Sequence, residues 1–479
     1  MATKNMYWAN FLHVYQPPTQ KEYWVKRVSE ESYRKVFKGL LKSPNARLTL
    51  NITGVLLELL EKYECADVIE DLKKLVANGQ IELTGSAKFH ALLPFLPEAE
   101  IIRQIQLNEI TLRKYFGADL KLKGFFPPEM AFSPKLLPIL AKLGYEWIIV
   151  DEMSFPRGQE IHYDRIYEAA GKAKIKMFFR ERRMSWVILS GQVGTGKLLV
   201  ESLGSRLKKN EYLLTAMDGE TFGHHRPGLE NLLFEIYNSK LLAAKTISEL
   251  PALFPKREAV TAQPATWALM EKDLQSKQPF SRWKDKGNSI HALQWKLTEL
   301  ALKTVEGAAK NPGYKKSRTL LDMALHSDQY WWASARPWWS IEMIERGAKD
   351  LMQSVKLLKP NTSEIKSAQA RGQEYYNQIL YTAFDWQRTG KVDQLSHKED
   401  EDVRQRTDQN MPELPKAEID KMVSELKKEM AAVVSHEEFE RASQIRDRIA
   451  ELNRYISSRA VKGKVKTSKP GSHEFKLAE

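Results

Sequence analysis

Seven short apolar runs alternate with amphipathic stretches over residues 1–220, and this alternation limits the fold more than any other feature of the chain. The runs cover residues 6–12, 47–52, 80–83, 122–126, 146–150, 175–179 and 211–217. Each has the length of a buried strand and is rich in Ile, Val, Leu, Phe or Tyr. Between them, residues 53–77, 98–116 and 133–143 carry helical periodicity, with Pro134 placed for a first turn and Gly144 for a helix stop. Strands alternating with helices predict an α/β fold on a parallel sheet, and seven of them predict an incomplete (β/α)7 barrel.

Polar side chains stand at the ends of these runs. His13 follows the first, Glu82 lies in the third, Glu129 follows the fourth, Asp151 the fifth, Arg180 the sixth and Asp218 the seventh. In a β/α barrel, chemistry collects at the C-terminal ends of the strands, so the pattern converges these groups on one mouth. Two carboxylates so placed, Glu129 and Asp218, suit glycosidic cleavage, where one attacks the anomeric carbon and the other protonates the leaving oxygen.

Residues 225–390 change to helical periodicity and hold Trp267, Trp283, Trp295, Trp331, Trp332, Trp338, Trp339 and Trp386. Core filling accounts for most tryptophans, but the run Tyr330-Trp331-Trp332 predicts that at least one ring lines a cleft. The expected organisation is a barrel over 1–265, a helical region over 266–390 and a charged linker over 391–415. A helical hairpin over 416–455 and a flexible basic tail over 456–479 complete it.

Composition narrows the class. The single Cys65 excludes a disulfide framework and any multi-cysteine zinc site. No run is long enough to span a membrane, and the N-terminal residues do not read as a secretory leader, so the expected location is cytoplasmic. The 74 basic against 61 acidic residues give a net charge of +13, spread along the chain. This reads as solubility, and nucleic acid is not the expected partner. No metal-ligand set is present locally, even at His224-His225. The glycine-rich segment 191–197 lacks the Ser or Thr that ends a phosphate-binding loop and reads as a turn. No cofactor is expected.

The motifs resemble glycoside hydrolase family 57, the α-glucan-active enzymes. His13-Val-Tyr15-Gln16-Pro17-Pro18 resembles the family's opening His-x-His-Gln-Pro. Gly79-Gln80-Ile81-Glu82, with His90 and Leu93-Pro94 following, resembles its second region. Gly124-Phe-Phe-Pro-Pro-Glu129 resembles the third, whose Glu is the nucleophile, and Met217-Asp218-Gly219-Glu220 the fourth, whose Asp is the acid/base. Asp328-Gln-Tyr-Trp331 resembles the fifth, whose Asp and Trp touch substrate, and 179–185 also looks like a family segment. The resemblance implies a retaining double displacement on α-1,4-glucans, by hydrolysis or by transfer, with Glu129 attacking and Asp218 as acid/base. His13, Gln16, Glu82, His90, Arg180, His224, Asp328 and Trp331 would bind sugar or orient the acids. Asp218 would need a raised pKa to carry its proton. The chain departs from the pattern at Tyr15, which replaces the second His, and before Glu129, where the usual Trp is missing.

Residues 416–455 are similar to the UVR motif, a helical hairpin through which bacterial excision-repair subunits pair. This implies a protein partner or self-association. The alternative function is a non-catalytic glucan-binding or regulatory scaffold that pairs through this hairpin.

Overall fold

The computed structural model describes residues 6–396 except Gln192, Lys240, Leu241 and Pro337; beyond these it describes 416–435, Ala442, Ile445, Arg446, Ile449, Ala450 and 452–454. The linker over 391–415, the turn at Ser435-His436-Glu437 and the basic tail fall largely outside the described residues.

Each of the seven apolar runs carries a strand. They are β1 (Tyr7–Val14), β2 (Leu48–Ile52), β3 (Ile81–Leu83), β4 (Gly124–Phe125), β5 (Trp147–Asp151), β7 (Lys176–Arg180) and β8 (Tyr212–Asp218). Three more join them: β6 (Ile166–Ala169), β9 (Ala243–Ala244) and β10 (Arg257–Val260). One sheet has the order β3-β2-β1-β8, with β9 also on β1; the other has the order β10-β6-β7-β5-β4. Every pairing is parallel except β6 with β7. β2 and β5 are buried along their whole length, as expected of strands covered on both faces. The sheets approach each other twice. Gly85 and Phe125 form a parallel bridge, and the Glu181 N–H donates to the Leu214 carbonyl at 2.8 Å. Gly124 permits the close packing of β4, because a Cβ there would lie 2.0 Å from the Trp147 ring.

The amphipathic stretch 53–77 is two helices, Gly54–Lys62 and Ala66–Ala77, broken where Glu64 adopts φ +60°. The glycine-rich segment is a turn only at first. Thr195 caps a helix at Gly196–Leu203 by accepting from the Leu198 N–H at 3.3 Å. The helical region packs helices Ser289–Glu306, Tyr314–Ala324, Ile341–Lys356 and Ser363–Arg388 over the second sheet. Leu297, Leu321 and Leu351 share one core with Ile148, Val150 and Phe179. The chain is thus an α/β fold with parallel strand pairing, followed by a helical region. The helix Lys416–Ser435 lays Ile419, Val423 and Leu426 into the core that holds Val193, Leu198 and Leu199. No helix among the described residues is long and apolar enough to cross a membrane.

Candidate active site

Glu129 sits in a forced geometry. β4 ends at Phe125, and Pro127 and Pro128 lead into a single 3-10 turn, Pro128–Met130. Within that turn Glu129 adopts φ +61°, a conformation a non-glycine residue holds only when its surroundings fix it. The surroundings are a strap from the helical region. The Ala265 carbonyl accepts from the Phe132 N–H at 2.9 Å, and the Glu129 carbonyl accepts from the Trp267 N–H at 3.4 Å. The carboxylate receives one donor on each oxygen. Trp267 Nε1 donates to Oε2 at 3.1 Å and Ser327 Oγ donates to Oε1 at 3.1 Å.

Asp218 ends β8 opposite His13 in the β1–β8 register. Arg180 ends β7 opposite Asp151 of β5. Asp151 is fully buried and takes Arg180 at 3.2 Å and Arg182 at 2.9 Å, one on each oxygen. That ion pair turns the Arg180 guanidinium over the Trp267 ring, 5.9 Å from its centroid. One chain of contacts therefore joins Asp151, Arg180, Trp267 and Glu129.

Aromatic rings close the other side. Tyr15 stacks on His90 at 4.1 Å, and His13 lies 5.0 Å from His90 and 4.7 Å from Phe126. His13 Nδ1 contacts Asn51 Oδ1 at 2.8 Å. Tyr15 donates its hydroxyl to Asp328 Oδ2 at 2.6 Å, and His326 Nδ1 meets the same oxygen at 3.0 Å.

The charges follow from burial. Glu129 is pushed up to about 8, first by burial and then by the negative charges of Asp328 and Asp218. Asp218 is pushed up to about 6 by burial, which the positive charge of Arg180 opposes. Burial also works to raise Asp328, but its bonds and charge interactions with His326, His90 and Tyr15 prevail and hold it below its ordinary value. Burial pushes His90 down to about 4, so its imidazole is neutral at physiological pH. At neutral pH the site holds an ionised Asp328, with both Glu129 and Asp218 displaced toward protonation.

The sequence-designated residues divide into groups. His13, His90, Arg180, Asp218, Asp328 and Glu129 form the cluster just described. Gln16 adjoins it, donating to Tyr33 at 3.4 Å. Tyr33 in turn donates to Glu220, which also accepts from the Tyr15 N–H at 3.2 Å. Glu82 bonds Ser248 and Thr49, and its burial raises its pKa. His224 bonds Glu31 at 2.5 Å and lies beside His225. Trp331 packs 5.2 Å from Trp283, in a cluster with Trp295 and Tyr330. Sequence reasoning missed Trp267, Ser327 and Glu220 as members of the site. Glu220 stands two residues beyond Asp218 and Ser327 one before Asp328, so proximity to a motif could have found both. Trp267 carries no such signal, because the strand before it, β10, ends seven residues earlier at Val260 and is not marked by an apolar run.

Residues 3–250 match the family described as Glycosyl hydrolase family 57, and residues 420–455 match the UvrB/uvrC motif. The α-amylase of Pyrococcus horikoshii is 28% identical over 228 residues, covering 47% of this chain and 35% of that protein. The crystal structure of the 4-α-glucanotransferase of Thermococcus litoralis aligns with a TM-score of 0.60 at 19% identity, over 75% of this chain and 61% of that one. The GH57-type branching enzyme of Pyrococcus horikoshii aligns with a TM-score of 0.56 at 16% identity, over 80% and 97% respectively. These two structures are alike in fold. The chain spans about a third, or less, of the length of the curated relatives it matches.

Proposed function

Because this chain belongs to glycosyl hydrolase family 57, we propose that it is a retaining enzyme acting on α-1,4-glucans, with Glu129 as nucleophile and Asp218 as acid/base. The observation that carries the reading is the state of Glu129. It is a largely buried carboxylate, its side chain 14% exposed, on strained backbone, with one donor on each oxygen and the field of Asp218 upon it. Glu129 attacks the anomeric carbon as Asp218 gives its proton to the departing sugar oxygen. The incoming oxygen of water or of a sugar hydroxyl then attacks the same carbon as Asp218 takes its proton, and the bond to Glu129 breaks, giving hydrolysis or transfer. Attack needs the charge on Glu129 and the proton on Asp218; burial holds Glu129 at about 8, above Asp218 at about 6, and the donors Trp267 and Ser327 work against that order without reversing it.

His13, His90, Arg180 and Asp328 face the substrate or set the charge of the two acids. Gln16, Glu82, His224 and Trp331 act further out, binding sugar or holding the walls. The seven strands of the apolar runs are read as one incomplete barrel, supported by the Gly85–Phe125 bridge and the Glu181–Leu214 hydrogen bond. The barrel is assigned to 1–265 and the helical region completing the cleft to 266–390. The hairpin over 416–455 is read as a surface for a protein partner or a second copy, supported by the UvrB/uvrC match. A cytoplasmic location fits the buried free thiol of Cys65.

A second reading is a non-catalytic glucan-binding scaffold. Its support is Tyr15, whose ring lies on His90 and whose hydroxyl occupies Asp328. A product profile separates the two. Purified protein is incubated with maltoheptaose and with amylose, beside Glu129→Gln and Asp218→Asn variants. Longer and shorter products, absent from both variants, identify a transferase, and only shorter ones a hydrolase. Binding without any product supports the scaffold.

A further inference from the structure

We propose that Ser327 is a positioning residue that, with His90, forms a one-way donor chain into Glu129. The chain runs from His90 Nδ1–H to Ser327 Oγ, and from Ser327 Oγ–H to Glu129 Oε1. It fixes the tautomer of His90 and resists protonation of the Glu129 carboxylate. The proposal rests on the reading of Glu129 as nucleophile for its catalytic meaning, but its geometry stands without it.

Ser327 Oγ lies 2.9 Å from His90 Nδ1 and 3.1 Å from Glu129 Oε1. When Glu129 is ionised, as attack requires and as holds above about pH 8, its carboxylate can only accept, and a hydroxyl has one proton to give. The hydroxyl proton therefore points at Glu129, and only lone pairs remain for His90. His90 must then carry its proton on Nδ1. Its other nitrogen agrees, because Nε2 is buried and has no partner among the described residues. A bare lone pair is tolerated there better than an orphaned N–H.

The reverse chain carries a penalty. If Glu129 held a proton on Oε1, it would donate to Ser327 and Ser327 would donate to His90 Nδ1. The imidazole proton would move to Nε2, into a place with no acceptor. The arrangement thus opposes the displacement that burial and the charges of Asp328 and Asp218 impose on Glu129. Trp267 Nε1 meets the other oxygen. Tyr15 covers the His90 ring at 4.1 Å, and His13 lies beside it at 5.0 Å.

The backbone holds the chain in register. The Ser327 N–H donates to the His90 carbonyl at 3.0 Å, and Ala91 bridges His326 in antiparallel sense. His90 itself adopts φ +55°. Ser327 therefore grips His90 by main chain and side chain together, and it lies outside the stretch 3–250 that matches the family.

The test uses the full chain and its Ser327→Ala and Ser327→Thr variants. Side-chain 15N NMR reads the His90 tautomer, 13C NMR reads the Glu129 carboxyl titration, and kinetics on maltoheptaose reads turnover. Above about pH 8, where Glu129 is ionised, the expected wild-type tautomer is Nδ1–H. Ser327→Ala should lose that preference, move the Glu129 titration to higher pH and lower kcat about 10- to 100-fold with little change in KM. Ser327→Thr should restore all three. A wild-type His90 protonated on Nε2 above about pH 8 overturns the proposal, as does a Ser327→Ala variant in which both resonances titrate unchanged. Resonances that shift as expected in a protein without glucan turnover would uphold the donor chain and remove the catalytic reading of Glu129.

Discussion

Trp267 and Glu129 meet twice, by a hydrogen bond from the indole to the carboxylate at 3.1 Å and one from main chain to main chain at 3.4 Å. The ring keeps its place because His13 and Phe126 pack against it and Arg180 lies over its face. Trp267→Phe retains the packing and removes the donor. It should lower kcat/KM on maltooligosaccharides about 10- to 100-fold, chiefly through kcat. Because the indole N–H holds the Glu129 pKa down, the acid limb of the pH–rate profile should move to higher pH. A variant with an unmoved limb would show that the indole only packs.

The displaced pKa of Glu129 makes a statement about stability. A carboxyl raised in the folded state supports folding fully below its unfolded value and loses that support as pH rises through its folded value. The window runs from the ordinary 4.5 to about 8. Each unit of displacement is worth about 1.4 kcal/mol, so the wild type should weaken across this window. Glu129→Gln should therefore melt higher than wild type at pH 9 and close to it at pH 4. Equal pH dependence of the two melting temperatures would remove Glu129 as the source.

Asp151 holds two arginines by its two oxygens with no exposure of its own. Asp151→Ala leaves Arg180 buried and uncompensated. Breaking a buried pair from one side destabilises by about 3–5 kcal/mol, which chemical denaturation would read. Freed of Asp151, the Arg180 charge would hold Asp218 down more strongly, and the base limb of the activity profile should move to lower pH. Asp151→Asn keeps a hydrogen-bonding side chain without the charge and should fall between the two.

How far the sequence revealed this depends on which physical force sets each feature. The seven apolar runs became strands because burial on both faces demands near-continuous apolar side chains, and that demand is visible residue by residue. β6, β9 and β10 were not visible. Arg257–Val260 sets two charged residues before Ala and Val, and Ala243–Ala244 is two residues long; pairing with an existing strand makes them strands. At the site, Asp218 and Arg180 were legible because each ends a strand, and Glu129 because it follows one closely. Trp267 and Ser327 were not, since they arrive from a helical region whose docking no local pattern encodes. The left-handed turn at Glu129 was equally hidden: two prolines announce a turn, but only the strap through Ala265 and Trp267 fixes its φ.

Tyr15 offers the last prediction. Its hydroxyl donates to Asp328 at 2.6 Å, alongside His326 on the same oxygen. Tyr15→Phe keeps the ring on His90 and takes one donor from a buried charge. Hydrogen bonds to charged groups contribute about 1.5–3 kcal/mol, so the variant should be less stable by that order at pH 7. Asp328 is held below its ordinary value, so the contribution is present above the unfolded carboxylate range and lost as pH falls through the lowered folded value. The melting temperatures of wild type and Tyr15→Phe should therefore converge in acid. On the catalytic side, an Asp328 freed from Tyr15 can take a sugar hydroxyl in its place. Tyr15→Phe should then lower KM for maltoheptaose severalfold while kcat stays within about twofold, the signature of uniform binding. A rise in KM would mean instead that the Tyr15 hydroxyl itself contacts the sugar.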